Sequence, residues 1–352
     1  MRPGGLGPTA CPRAWTMKIL LNCNLPFALA HGGQQIQIER TLAGLAANGV
    51  TAEPLRWWDD QQTGDIIHYF GRMPSGQIEL ARQKGMRVVM AELLTGPGSR
   101  SPRQLRVQKL ITQAVKRLAP GSFAAPFNWD SYKLADAQVA LTPWEAQLMV
   151  YLFGAPPERV HVVANGVEDA FLQSTPAPRG PWLVCTATIA ARKRVLELAE
   201  AAVLARTPVW IIGRAYAESD PYARAFVQLA RQQPELVRYE GGINDRVRLA
   251  EIYRQARGFV LLSTMESLSL SALEAAACEC PLLLSDLPWA RCTFAATAKY
   301  CPVNQPAAAT ATVLREFYDA APTLAPPPKP ADWVQIGREL KTLYESILRT
   351  DR

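Results

Sequence analysis

Gly258-Phe259-Val260-Leu261-Leu262-Ser263-Thr264-Met265-Glu266-Ser267-Leu268-Ser269-Leu270-Ser271-Ala272-Leu273-Glu274-Ala275-Ala276-Ala277, followed by Cys280-Pro281-Leu282-Leu283-Leu284-Ser285, is a short apolar run, a polar loop, an alanine-rich stretch and a second apolar run. Apolar runs without polar alternation belong to strands buried on both faces, so the stretch predicts a βαβ unit of a parallel sheet. Glu266 falls in the loop at the carboxyl end of the first strand. Glu274 falls about one turn inside a helix that begins near Ser269 to Ser271. Open α/β sheets bind ligands at the carboxyl ends of their strands, and both carboxylates therefore face that crevice. The N–H groups of Leu270 and Ser271, at the positive end of the helix dipole, suit a phosphate or diphosphate. An anion cradle between two hydrogen-bond acceptors fits a phosphorylated polyol, although a Glu at a helix start also serves simply as a dipole partner.

Moving toward the amino terminus, Asp245 to Gln255 is a helix, Val237-Arg238-Tyr239-Glu240-Gly241-Gly242 a strand and close-approach turn, and Val209-Trp210-Ile211-Ile212-Gly213-Arg214 a strand and glycine loop. Pro221 to Gln232 is the helix between them. Trp182-Leu183-Val184-Cys185-Thr186-Ala187 opens this second domain and leads through Arg192-Lys193-Arg194 into a helix from Val195 to Leu204. Three cations at a helix start oppose the dipole, a conflict that an anion relieves. Toward the carboxyl terminus, Pro322 to Pro330 is a proline-dense connector, and Trp333 to Leu348 is a helix with Trp333, Ile336, Leu340, Leu343, Tyr344 and Ile347 at helical spacing.

The first half repeats the alternation. Met17-Lys18-Ile19-Leu20-Leu21 is a strand, His31-Gly32-Gly33 a glycine loop, and Gln34 to Asn48 an amphipathic helix, which makes a second potential anion site. Asp65 to Phe70 and Met86 to Met90 are strands separated by a helix near Ser75 to Lys84, with His68 a candidate proton handler or a packed group. Gly96 to Pro102 is a loop of turn formers. The helix Arg103 to Leu118 interleaves Leu105, Val107, Leu110, Ile111, Val115 and Leu118 with five cations, and is expected to pack on the sheet with its charges in water. Val139 to Glu145 is strand, cap and helix start with Pro143 at the first helical position.

These segments give an expected division into a disordered leader at 1–16, a first domain at 17–172, a linker at 173–181, a second domain at 182–330, and a closing helix at 331–352. The net charge is +7, which admits an anionic partner, but no nucleic-acid motif accompanies it. Seven cysteines form neither a disulfide framework nor a Cys-x-x-Cys pair, so a reducing, cytoplasmic setting is expected. No apolar run reaches the length of a transmembrane helix. No Asp-x-Asp pair stands at a strand end, and Asp59-Asp60 lies in a loop without partners, so the sequence requires no metal.

The Glu-x7-Glu spacing from Glu266 to Glu274, in this strand, loop and helix, resembles the signature of retaining, nucleotide-sugar-dependent glycosyltransferases of the GT-B fold, family 4 (group 1) in particular. The resemblance covers nearly all of 17–352 and implies two Rossmann-like doubly wound domains facing a cleft, with the final helix crossing back onto the first. It implies that Glu266 holds hydroxyls of the transferred sugar, Glu274 the ribose hydroxyls, and Lys193 with Arg192 the donor phosphates. It places Gly33 at the diphosphate across the cleft, Gly213 and Gly242 at the base, and the N–H groups of Leu270 and Ser271 at the phosphates. The co-substrate would be a nucleoside diphosphate sugar with no cofactor required, the acceptor a hydroxyl of a glycan, lipid or small molecule, with peripheral contact to an anionic inner-membrane face.

The chain departs from the family pattern in three places. Ser267 and Ser269 replace the loop glycines. Ala91-Glu92-Leu93-Leu94-Thr95-Gly96 stands where many members carry a His, leaving Glu92 or Thr95 as substitutes. The family Arg often lies where Thr188 and Ile189 stand, so Arg194 competes with Arg192 for that role. Two other readings keep the fold: a sugar-nucleotide epimerase, and a non-catalytic protein that binds a sugar nucleotide. A phosphorylase is disfavoured, since nothing marks a lysine-bound pyridoxal phosphate.

Overall fold

The computed structural model describes residues 17–24, 26–27, 32–118, 127–173 and 177–349. The leader at 1–16, His31 of the first glycine loop, linker residues 174–176 and the last residues 350–352 lie outside these. Two six-stranded, wholly parallel sheets form the frame. The first has strand order β2-β1-β3-β4-β5-β6, from β1 (Lys18–Cys23), β2 (Thr51–Pro54), β3 (Ile66–Phe70), β4 (Arg87–Met90), β5 (Ala137–Ala140) and β6 (Val160–Val162). The second has order β12-β11-β10-β7-β8-β9, from β7 (Leu183–Thr186), β8 (Val209–Ile212), β9 (Val237–Tyr239), β10 (Gly258–Leu261), β11 (Leu282–Ser285) and β12 (Ala298–Cys301).

Register follows the apolar runs. Leu20 pairs Ile67 and Ile67 pairs Val88 in the first sheet; Val184 pairs Phe259 and Phe259 pairs Leu282 in the second. The central strands β3, β7, β8, β10 and β11 are buried almost throughout, as unbroken apolar runs require when helices cover both faces of a parallel sheet. In each sheet the strand order reverses once beside its first strand, between β1 and β3 and between β7 and β10. A crevice opens at the carboxyl ends of such a pair.

The closing helix, Trp333–Arg349, packs on the first sheet's layer. Trp333, Ile336, Leu340, Leu343 and Tyr344 share one core with Met17, Ile19, Leu21, Ile38 and Leu45. Each such side chain contributes roughly 1.5–3 kcal/mol when fully buried. Its backbone approaches the helix Gly33–Ala47 closely: a β-carbon on Gly44 would strike the Trp333 carbonyl, and one on Gly337 the Gly44 carbonyl. Val167 forms a parallel bridge with Asp332, so the two passages of the chain between the sheets run side by side.

Of the two readings of His68 the packed one holds: it is buried in mid-strand with Nδ1 2.6 Å from the Tyr344 hydroxyl, and burial pulls its pKa down to about 3. Two expectations need correction. The helix Pro102–Leu118 buries only Leu105 and Thr112, leaving Val107, Leu110, Ile111 and Leu118 in solvent. An amphipathic pattern says that a face is apolar, not that anything covers it. Asp59 is ion-paired with Arg56 at 2.7 Å rather than unpartnered. Among the described residues, no helix is long and apolar enough to cross a membrane.

Candidate functional site

The two crevices face each other across a cleft of about 640 Å³, lined from both sheets. On the second sheet, the end of β7 and the loop after it carry Thr186, Thr188, Arg192 and Lys193, and the loop after β10 carries Met265 to Ser269. Because β7 and β10 are neighbours, these loops touch: the Arg192 carbonyl accepts the Thr264 N–H at 2.8 Å. Strand order thus brings residues more than 70 positions apart into one wall.

Lys193 donates to the Glu266 carboxylate as an ion pair of two largely buried side chains. Four residues on, the helix Leu270–Ala277 starts at its cap Ser269, whose Oγ accepts the Ala272 N–H at 3.3 Å. That leaves the N–H groups of Leu270 and Ser271 without intrahelical partners at the cleft wall. Glu274, on the same helix, is 5% exposed and ion-paired with Arg246. Burial pushes the Glu274 carboxyl above its ordinary value, and the Arg246 guanidinium pulls it back. Arg246 is held in turn by Glu168 at 2.8 Å, and Glu168 by Arg40 at 2.8 Å on the helix that starts at Gly33.

All nine residues singled out from the sequence (Glu266, Lys193, Arg192, Gly33, Gly213, Gly242, Glu274, Leu270 and Ser271) line this one cleft. Gly33 begins its helix after Gly32, whose φ of 143° is open to glycine, and a β-carbon on Gly33 would sit 3.7 Å from Leu270 Cδ1 on the opposite wall. At Gly213 a β-carbon would collide with the Ala187 carbonyl, so packing of strand ends alone demands that glycine.

Two candidates fall elsewhere. Arg194 adopts a left-handed backbone (φ 52°), which turns its guanidinium away from the cleft to the Gln305 carbonyl at 2.6 Å. Glu92 is held by Arg72 at 2.7 and 2.9 Å and receives the Tyr132 hydroxyl at 2.5 Å, so of the two substitutes for the family His only Thr95 reaches the cleft.

Sequence reasoning missed Arg214 and Arg246 as lining cations. Both follow strand-end loops, which is the signal that could have found them. Four lining cations, Arg192, Lys193, Arg214 and Arg246, stand against two lining carboxylates, Glu266 and Glu274, which leaves two positive charges uncompensated among the described residues. The guanidiniums of Arg192 and Arg214 make no ion pair within those residues. Such a wall attracts a dianion and binds polyol hydroxyls on its acidic groups.

Residues 180–318 match the family described as glycosyl transferases group 1. No curated protein matches the chain. Solved structures similar to it include a glycosyltransferase from Rickettsia africae ESF-5, at 13% identity and TM-score 0.63, covering 95% of this chain and 99% of that one. Sucrose-phosphate synthase from Thermosynechococcus elongatus gives 16% identity and TM-score 0.66, covering 95% and 100%. Anabaena HepE, solved in complex with UDP and glucose, gives 14% identity and TM-score 0.60, covering 94% and 100%. The chain has the GT-B fold that these structures share, and its residues 180–318 match the glycosyl transferases group 1 model.

Proposed function

We propose that this protein is a glycosyltransferase that moves a sugar from a nucleoside diphosphate sugar to an acceptor hydroxyl, with retention at the anomeric carbon. The observation that carries the reading is the charge of the cleft wall: two uncompensated positive charges and free helix N–H groups, flanked by two buried carboxylates. A diphosphate ester carries about the complementary charge, and the sugar and ribose at its two ends supply hydroxyls for the two carboxylates.

In the reaction the bond between the anomeric carbon and the phosphate oxygen breaks, its electron pair stays on the phosphate, and the acceptor oxygen takes the carbon while its hydroxyl proton passes to the departing phosphate oxygen. Lys193, Arg192 and the N–H groups of Leu270 and Ser271 meet the charge that builds on the departing phosphate. Glu266 orients the sugar and Glu274 the ribose; neither is assigned as a nucleophile. Gly213 and Gly242 border the base, and Gly33 lets the first domain close on the diphosphate. The scheme needs no resident metal or cofactor. The acceptor enters from the first domain, whose helix Pro102–Leu118 shows Val107, Leu110, Ile111 and Leu118 to solvent among Arg103, Arg106, Lys116 and Arg117, a surface suited to an anionic lipid face.

Incubation of the purified protein with a panel of nucleotide sugars, scored for nucleoside diphosphate release with and without candidate acceptors, tests the reading. Release with one donor supports it. Tight nucleotide binding with no release from any donor would make the protein a sugar-nucleotide binder, and an altered but uncleaved donor would make it an epimerase.

A further inference from the structure

Glu145, one of the most completely buried acidic side chains described, has no role in the scheme above. It is 1% exposed, on the helix Pro143–Leu148, whose cap Thr142 accepts the Glu145 N–H at 3.2 Å. Its Oε2 accepts the Leu141 N–H at 3.0 Å and its Oε1 the Leu94 N–H at 2.9 Å, both in loops of the first domain. The same Oε1 accepts the hydroxyl of Ser267, which belongs to the second domain and directly follows Glu266.

A second bond runs parallel. The Glu266 N–H donates to Ser99 Oγ at 3.2 Å, and Ser99 closes the short helix Thr95–Gly98, which the Trp144 indole holds through the Gly98 carbonyl at 2.8 Å. The first domain therefore grips the Met265–Ser267 loop at two adjacent residues. The hydroxyl that completes the grip is one that the family's glycine lacks. Burial pushes the Glu145 carboxyl above its ordinary value, while Ser267 and the two N–H donors favour the ionised form that accepts all three bonds.

We propose that Glu145 is a positioning residue for Glu266: through Ser267 it latches the loop of the sugar-holding carboxylate onto the first domain, so that Glu266 is set for transfer only when the cleft is closed. This rests on the glycosyl-transfer reading for the part that concerns the sugar. The latch itself stands on geometry alone. A carboxamide at 145 would turn an NH₂ group toward one of three donors, whereas Ser267→Ala removes only Glu145's bond to the second domain and leaves its two first-domain bonds in place.

Amide hydrogen exchange at residues 265–268, read without any donor, tests the latch. Loss of one charge-assisted bond is expected to speed exchange about tenfold in Ser267→Ala and in Glu145→Gln, with the double variant no faster than the faster single. Unchanged exchange in Ser267→Ala, or effects that multiply in the double variant, would overturn the proposal even if Glu145→Gln fails to fold. In turnover assays with UDP-glucose, or with the donor that the panel identifies, Ser267→Ala should lower kcat about tenfold while donor KM moves less than about threefold, and Ser267→Thr should recover most of the loss. An unchanged kcat, or a change confined to KM, also overturns it. Faster exchange in a protein that transfers no sugar from any donor would keep the latch and sink the transferase reading alone.

Discussion

The carboxyl edges of the two sheets have the same strand logic and opposite chemistry. The second edge presents Arg192, Lys193, Arg214, Arg246, Glu266 and Glu274, while the first presents Gly32, Gly33, Gln34, Leu93, Thr95 and Asn165, with no charged side chain among the described residues lining the cleft. One wall is therefore electrostatically prepared for a charged ligand before it arrives, and the other offers small or neutral groups that allow close approach. Preorganised charge is most effective where it need not rearrange during reaction. In the proposed scheme the donor is therefore bound by one domain and merely completed by the other.

The largest break in that comparison should come from Lys193→Ala, which removes the cation that the proposed scheme sets against the leaving phosphate. A fall in kcat of roughly 100-fold or more is expected, and a kcat within about threefold of the parent in steady-state assays would remove Lys193 from the chemistry. Glu274→Ala should raise donor KM about 10- to 30-fold with a smaller change in kcat, as loss of a hydrogen bond to a charged group does. Titration calorimetry with the donor nucleotide checks this, and unaltered affinity would move the ribose elsewhere.

A third prediction concerns the neutral side's support rather than its surface. His68 has a folded pKa of about 3 against an ordinary value of 6.5, from burial alone. Above pH 6.5 both folded and unfolded states are neutral at this residue and it has no effect; below, only the unfolded state takes the proton, so stability falls. The loss is about 1.4 kcal/mol per pH unit below 6.5, continuing toward pH 3. Urea midpoints at pH 7.0 and 5.5 should differ more in the parent than in His68→Phe, and equal differences would show that His68 is charged in the fold. The smallest effect is expected from Thr95→Val on the neutral edge: donor KM within about threefold, with any larger change confined to acceptor KM. A larger shift in donor KM would erase the distinction between the edges.

Much of this was legible in the sequence because the second domain states its structure locally. Unbroken apolar strands, Ser269 as cap and two carboxylates eight apart place Glu266 and Glu274 without knowledge of any distant residue. What the sequence hid depends on long-range pairing. Arg246 meets Glu274 and Glu168 across 28 and 78 positions, and Glu145 meets Ser267 across 122. Arg194 looks like its neighbours until a single left-handed residue turns it to Gln305. The edge strands Thr51–Pro54 and Ala298–Cys301 are partly exposed and lack the unbroken apolar run that marks the central strands. The Thr95–Gly98 turn of helix formed against its Gly and Pro content because Trp144 and the Glu266 loop hold it from outside.

The closing helix Trp333–Arg349 fills the apolar face of the domain that leaves the ribosome first. During synthesis that domain must wait, with Ile19, Leu21 and Leu45 uncovered, until residues 333–349 have emerged. The second domain has no such dependency and can finish earlier. A premature stop or a protease nick near position 331 would therefore strip the cover from a core about 300 residues away in sequence, sparing the second sheet's domain and releasing a sticky, incomplete partner.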